Sequence, residues 1–146
     1  MDALQTLGEK LLELDPDRVA VLDLPEPLVE ALQAARRITR HEARRRQMQF
    51  IGRLMREVDP APIRERLRQW ADAPNAEKAR LALVERWRER LLADRAALER
   101  LCEERPGTDR AHLAELIDDA HAERAHGEPP RAFRELYRSL NRLFSA

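Results

Sequence analysis

The sequence has 146 residues, enough for one ordinary domain or two small ones that bury a core without disulfide or metal staples. Leucine outnumbers Val, Ile and Thr together by 22 to 12, and there are only four glycines, so the composition excludes a sheet-based protein and favours an all-α fold. The formal net charge is zero, no apolar run reaches the length of a membrane span, and MDALQTLGEK lacks the pattern of a signal peptide; the expectation is a cytoplasmic protein with no membrane partner.

The first helix is expected from about Asp2 to Leu14, because Leu4, Leu7, Leu11 and Leu14 recur at three and four residues and line one face. Asp15 caps a short second element with Pro16 in its first turn, and Pro25 and Pro27 punctuate the entry to the next. A long helix is expected from about Pro25 to Val58. Its apolar side changes along the way: Leu28, Ala31, Leu32, Ala35 and Ile38 cluster on one face, whereas Met48, Ile51, Leu54, Met55 and Val58 cluster almost opposite. The switch falls near residues 40–46.

Asp59, Pro60 and Pro62 end that helix and begin another, in which Ile63, Leu67 and Trp70 form the buried stripe. Pro74 is expected to kink a nearly continuous helix, and Leu81, Val84, Trp87 and Leu91 resume the stripe to a break near Ala93. A helix to about Glu104 holds Cys102, read as a buried structural thiol. Thr108 caps the following helix, which carries Leu113, Leu116 and Ile117 to about His126; Gly127, Pro129 and Pro130 make a turn. The last helix buries Phe133, Leu136, Tyr137, Leu140, Leu143 and Phe144. The architecture expected is an elongated dumbbell of two small helical bundles, residues 1–74 and 75–146, joined by a long helix that Pro74 kinks.

The zero net charge is a sum of unlike segments. Residues 1–35 hold eight acids and two bases, a net −6, whereas residues 36–56 hold eight arginines and one glutamate, a net +7. The segment RRITRHEARRRQMQFIGRLMR thus carries the positive field. Arginine suits phosphate because its planar fork donates two parallel hydrogen bonds and stays charged, and a row of them matches a polyanion's backbone. Arg36, Arg37, Arg40, Arg44, Arg45, Arg46, Arg53 and Arg56 are the candidate RNA contacts, with His41, Gln47 and Gln49 as further donors and Gly52 as a point of close backbone approach. The competing reading is that acids of residues 1–35 neutralise these arginines. Surface ion pairs are worth little and exchange readily for phosphate, which favours polyanion binding. Glu42 reads as an intrahelical partner of Arg45 or Arg46.

Nothing points to catalysis. There is no phosphate-cradling glycine loop, no paired cysteine motif and no nucleophile with a triad partner, so no enzyme, cofactor or small-molecule substrate is expected. His112, His121, Glu123 and His126 have the wrong spacing for a zinc site on one helix. Trp70 and Trp87 sit on apolar stripes as core anchors, and their absence from the basic segment argues for backbone and shape contacts over base stacking.

RITRHEARRRQMQFIGRLMR followed by DPAPIRERL, together with LGEKLLEL, LDLPE and GEPPRAFRELYRSL, closely resembles the DarP (YjgA) family of bacterial ribosome-associated proteins over nearly the whole chain. That resemblance implies a non-enzymatic factor that joins late large-subunit precursors, contacts large-subunit ribosomal RNA and promotes maturation around the peptidyl transferase centre. It also implies a dumbbell of two helical bundles. A monomer is expected. Two departures carry expectations of their own: family members have a charged extension ahead of the segment matching MDALQTLGEK, so an RNA-binding or targeting tail is expected to be missing here; and LIDDAHAERAHGEPP places Asp118, Asp119 and Glu128 where a second RNA surface would want positive charge. The alternatives of a different class are a helical module docking its basic helix on an acidic protein, and a DNA binder, which would need a recognition helix of the helix-turn-helix kind.

Overall fold

The computed structural model describes residues 3–145, and among them the regular elements are nine helices and no strands. No helix is long and apolar enough to cross a membrane among these residues. The chain divides into two compact units, Met1–Ala73 and Pro74–Ala146.

In the first unit, α1 (Ala3–Glu13) buries Leu7 and Leu11 as the leucine spacing requires; Asp2 lies outside the described residues. Asp15 caps α2 (Pro16–Val21), its side chain accepting from the Asp17 amide, and Asp23 takes the left-handed φ of +58° that a short polar residue tolerates in a turn. The long helix expected over residues 25–58 is two helices. The first, α3 (Glu26–Arg37), ends where Ile38 turns extended at φ −83°, ψ 122°; the second, α4 (His41–Met55), starts after Arg40 at φ −74°, ψ 132°.

The change of apolar face is the physical reason for the break. One continuous helix would turn Leu28 and Leu32 away from Ile51 and Met55, whereas a reversal brings all four into one core, and all four are fully buried there. The chain turns at the β-branched pair Ile38–Thr39, which gives up little helix propensity. Gln47 reaches the carbonyl of Ala31 and Arg44 that of Ala35, so α3 and α4 form an antiparallel hairpin.

Gly8 and Gly52 let α1 come close to α4. A Cβ on Gly8 would stand 3.2 Å from Ile51 Cγ2, and one on Gly52 would stand 3.3 Å from Gln5 Cγ. Gly52 is therefore buried against α1, not offered to a ligand as the sequence suggested. Asp59 caps α5 (Pro60–Asp72), which sets Ile63 in the core and buries Trp70 beneath the Arg18 guanidinium, 4.9 Å from the ring centroid.

The helix expected to kink at Pro74 is split instead: α5 stops at Asp72, Ala73 leaves helical geometry at φ −137°, ψ 63°, and α6 (Pro74–Ala93) begins with the proline in its first turn. The second unit continues with α7 (Ala96–Glu104), α8 (Arg110–His126) and α9 (Arg131–Ser145). Asp94 accepts from the Ala96 amide and so restarts the chain after the break at Ala93. The cap of α8 is Asp109, accepting from the His112 amide; Thr108, expected in that role, donates its hydroxyl to the Arg105 carbonyl. Gly127 at φ +65° closes α8.

Leu81, Val84, Trp87 and Leu91 of α6 join Leu98, Leu101, Leu113, Ile117, Leu136 and Leu140 among the buried residues of this unit. Tyr137 is also buried and donates to the Leu81 carbonyl. Phe133, Leu143, Phe144 and Cys102 are half-buried rather than buried. Buried Arg88 of α6 is stacked on Phe133 and Tyr137, 3.8 and 4.7 Å from their centroids, and Arg80 bridges buried Glu77 to Asn141 of α9.

Candidate nucleic-acid interface

The hairpin of α3 and α4 sorts the arginine segment into two groups. Arg36, in the last turn of α3, donates from Nη2 to the Leu14 carbonyl at 2.7 Å, just beyond the end of α1. Arg44 donates to Ala35 and Gln47 to Ala31, each at 2.9 Å. The Leu14 and Ala35 carbonyls lie at the C-terminal ends of α1 and α3, where partial negative charge gathers, which is why the two cationic donors settle on them. Burial lowers the pKa of Arg36, with nearby Asp15 opposing it. Arg44 and Gln47 tie α4 to α3, and Arg36 ties α3 to the end of α1.

The second group points outward. Arg37, Arg40, His41, Arg46, Gln49 and Arg56 are exposed, and their side chains have no hydrogen-bond or ion-pair partner among the described residues. Arg45 pairs with Glu42 at 3.4 Å, as expected for residues three apart, but both side chains are more than half exposed and the contact exchanges easily for another anion. Arg53 sits 5.7 Å from the ring of Phe50. Among the described residues, the ion pair of the segment is this internal one, and Asp15 acts on Arg36 through its charge.

Two residues of this face were missed in the sequence. Phe50 is 40% exposed, the large hydrophobic side chain left open among the described residues, and it lies on the stripe Arg46–Phe50–Arg53. Its signal was its position off the stripe of Met48, Ile51 and Met55. Glu9 of α1 stands in the same groove as His41, Arg44 and Gln49, a proximity that nothing in the linear sequence announces.

In the second unit, Asp118 is paired with Arg95, and Glu128 lies 3.7 Å from His126. Both carboxylate oxygens of Glu123 accept from the Ala132 amide at the start of α9. No group of three or more metal-ligating side chains occurs among the described residues.

The family's sequence profile, described as dual-action ribosomal maturation protein DarP, matches residues 1–141. The chain belongs to the DarP family. Among DarP relatives, those of Nitrosomonas eutropha and Nitrosomonas europaea are each 48% identical over 143 residues, covering 98% of this chain and 81% and 80% of their own lengths. The DarP protein of Methylobacillus flagellatus is 45% identical, covering 99% of this chain and 81% of its own length. All three carry the name dual-action ribosomal maturation protein DarP.

Proposed function

We propose that this chain is a non-enzymatic assembly factor of the large ribosomal subunit that binds ribosomal RNA through the outward face of α4 and the turn before it. The observation that carries the reading is the set of unpartnered, exposed arginines on this hairpin, beside Arg36 and Arg44, which are spent on backbone carbonyls of the fold. Arg37, Arg40, Arg45, Arg46, Arg53 and Arg56 hold phosphates, His41 and Gln49 reach sugars or base edges, and Arg36, Arg44 and Gln47 fix the geometry. The ribosomal maturation role named for its relatives supports the choice of RNA over DNA.

The protein acts by differential affinity. A preformed helical face binds the mature fold of an RNA element more tightly than its alternatives and shifts the population toward it, near the peptidyl transferase centre of late precursors, without consuming a nucleotide. It does so as a monomer in the cytoplasm.

Sucrose-gradient sedimentation of a bacterial lysate tests this. The wild type co-migrates with large-subunit or precursor peaks; a variant with Arg40, Arg46 and Arg53 changed to Gln, its folding verified by circular dichroism, stays at the top. A wild type that never leaves the top at low salt refutes the ribosomal reading and points to an acidic protein partner.

A further inference from the structure

The groove between α1 and α4 holds a group that phosphate binding does not use. Glu9 shares it with His41, Arg44, Arg45 and Gln49, with half-buried Met48 among its lining residues, in a cavity of about 400 Å³. The spacing explains the arrangement: residues 41, 44, 45, 48 and 49 fall on one stripe of α4, and α1 lies against it where Gly8 and Gly52 permit. Arg44 is committed to the Ala35 carbonyl, and Arg45, which is left for phosphate, pairs with exposed Glu42 and not with Glu9. Glu9 therefore keeps a carboxylate with no hydrogen bond or ion pair among the described residues, in a groove that the basic segment lines.

Such a carboxylate repels phosphate, so it marks a place where the bound RNA presents donors. RNA has donors only on base edges and the ribose hydroxyl. Guanine alone sets two of them, N1–H and N2–H, side by side at the spacing of two carboxylate oxygens, and that edge is free only in an unpaired nucleotide. Gln49 and His41 supply donors for the O6 and N7 acceptors of the same base, and the Met48 thioether offers a polarisable contact to a flat ring.

We propose that this groove takes an unpaired guanine of the bound RNA, with its N1–H and N2–H donating to Glu9. The assignment rests on the RNA-binding reading of α4 and adds sequence selectivity to it. Fluorescence anisotropy of the full chain with labelled RNA hairpins, identical but for one unpaired loop nucleotide, tests it at fixed salt. Guanosine is expected to bind about tenfold tighter than adenosine, the discrimination of one bidentate pair, with inosine between them because it lacks the N2 amino group. Glu9→Gln binds the adenosine hairpin at least as tightly as the wild type, since a negative charge beside the arginines is gone, while the guanosine preference falls to near unity.

A wild type that binds all three hairpins equally overturns the groove assignment and leaves the arginine face intact, as does a Glu9→Gln variant that tightens every hairpin by the same factor. Failure of the wild type to bind any hairpin refutes the RNA reading itself, and this one with it. Capture of an arginine-rich peptide by the wild type but not by Glu9→Gln, with no base preference, assigns the groove to a protein and overturns the proposal. The inosine arm needs no variant, so a folding defect cannot mimic the result.

Discussion

Arg36 and Arg46 are indistinguishable as letters, and their substitutions should have opposite signatures. Arg36→Met keeps the apolar stem and removes the guanidinium that donates to the Leu14 carbonyl at 2.7 Å. A hydrogen bond from a charged donor is worth about 1.5–3 kcal/mol. Part of that is offset, because burial already disfavours the charged form of Arg36 and its Nε is buried with no hydrogen-bond partner. Solvent screening at a half-buried site lowers the figure further. The expected loss is about 1–2 kcal/mol, and in a unit of this size each kilocalorie moves the melting temperature by roughly 4–8 °C.

Arg46→Gln removes no described contact, so stability should change by less than about 0.5 kcal/mol. The salt dependence of RNA binding should instead become shallower, the slope of log K against log salt falling by about 0.7–0.9 for one lost phosphate contact. Thermal unfolding followed by circular dichroism, with anisotropy against salt, measures both quantities on each variant. The division of the arginines is wrong if Arg36→Met melts with the wild type and flattens the salt dependence as much as Arg46→Gln does.

Phe50→Ser should leave folding unchanged and, if a base stacks on this exposed ring, weaken single-stranded RNA binding by about 1–3 kcal/mol in a filter-binding assay; an unchanged affinity removes Phe50 from the interface. The two interfacial glycines should differ. Gly52→Ala meets only the flexible Gln5 stem and gains helix propensity, so urea unfolding should show it neutral or up to about 1 kcal/mol more stable. Gly8→Leu crowds Ile51 and Met55 and should cost about 1–3 kcal/mol. In the second unit, burial raises the pKa of Glu135, but hydrogen bonds from Arg138 and Arg142 outweigh it and hold the pKa below the ordinary value. A carboxyl with a lowered folded pKa contributes stability above its unfolded pKa and loses it as pH falls through the folded one. Melting temperatures of the wild type and Glu135→Gln should therefore converge as pH is lowered through and below the carboxylate range, and equal separation at all pH values contradicts this.

Much of the fold was legible because helix ends announce themselves locally. The leucine spacing of α1, the caps Asp15 and Asp59, the break at Ala93 and the glycine at 127 all lie within a turn of the feature they control. The long helix over residues 25–58 failed on a non-local fact. Both halves had to face one core, and the opposed apolar faces that the periodicity showed were the mark of a reversal at Ile38–Thr39. Pro74 misled in a milder way, since a proline suits the first turn of a new helix as well as a kink. At the site, charge identified the segment but not its division. A carbonyl such as that of Ala35 is invisible in a sequence as a partner for Arg44, and Glu9 meets the segment only once α1 has packed on α4.

The carbonyl anchors also set how this segment can drift. A phosphate still takes one contact from an ammonium, so at positions 37, 40, 46 and 56 exchange of arginine for lysine should leave folding unchanged and cost binding only the second hydrogen bond of the fork. At 36 and 44, by contrast, a fork must reach a fixed backbone oxygen from a set angle, which lysine's single ammonium does less well. Tolerance to that exchange should therefore follow which way each side chain faces, so that neighbours in a run that looks uniformly basic evolve under different rules.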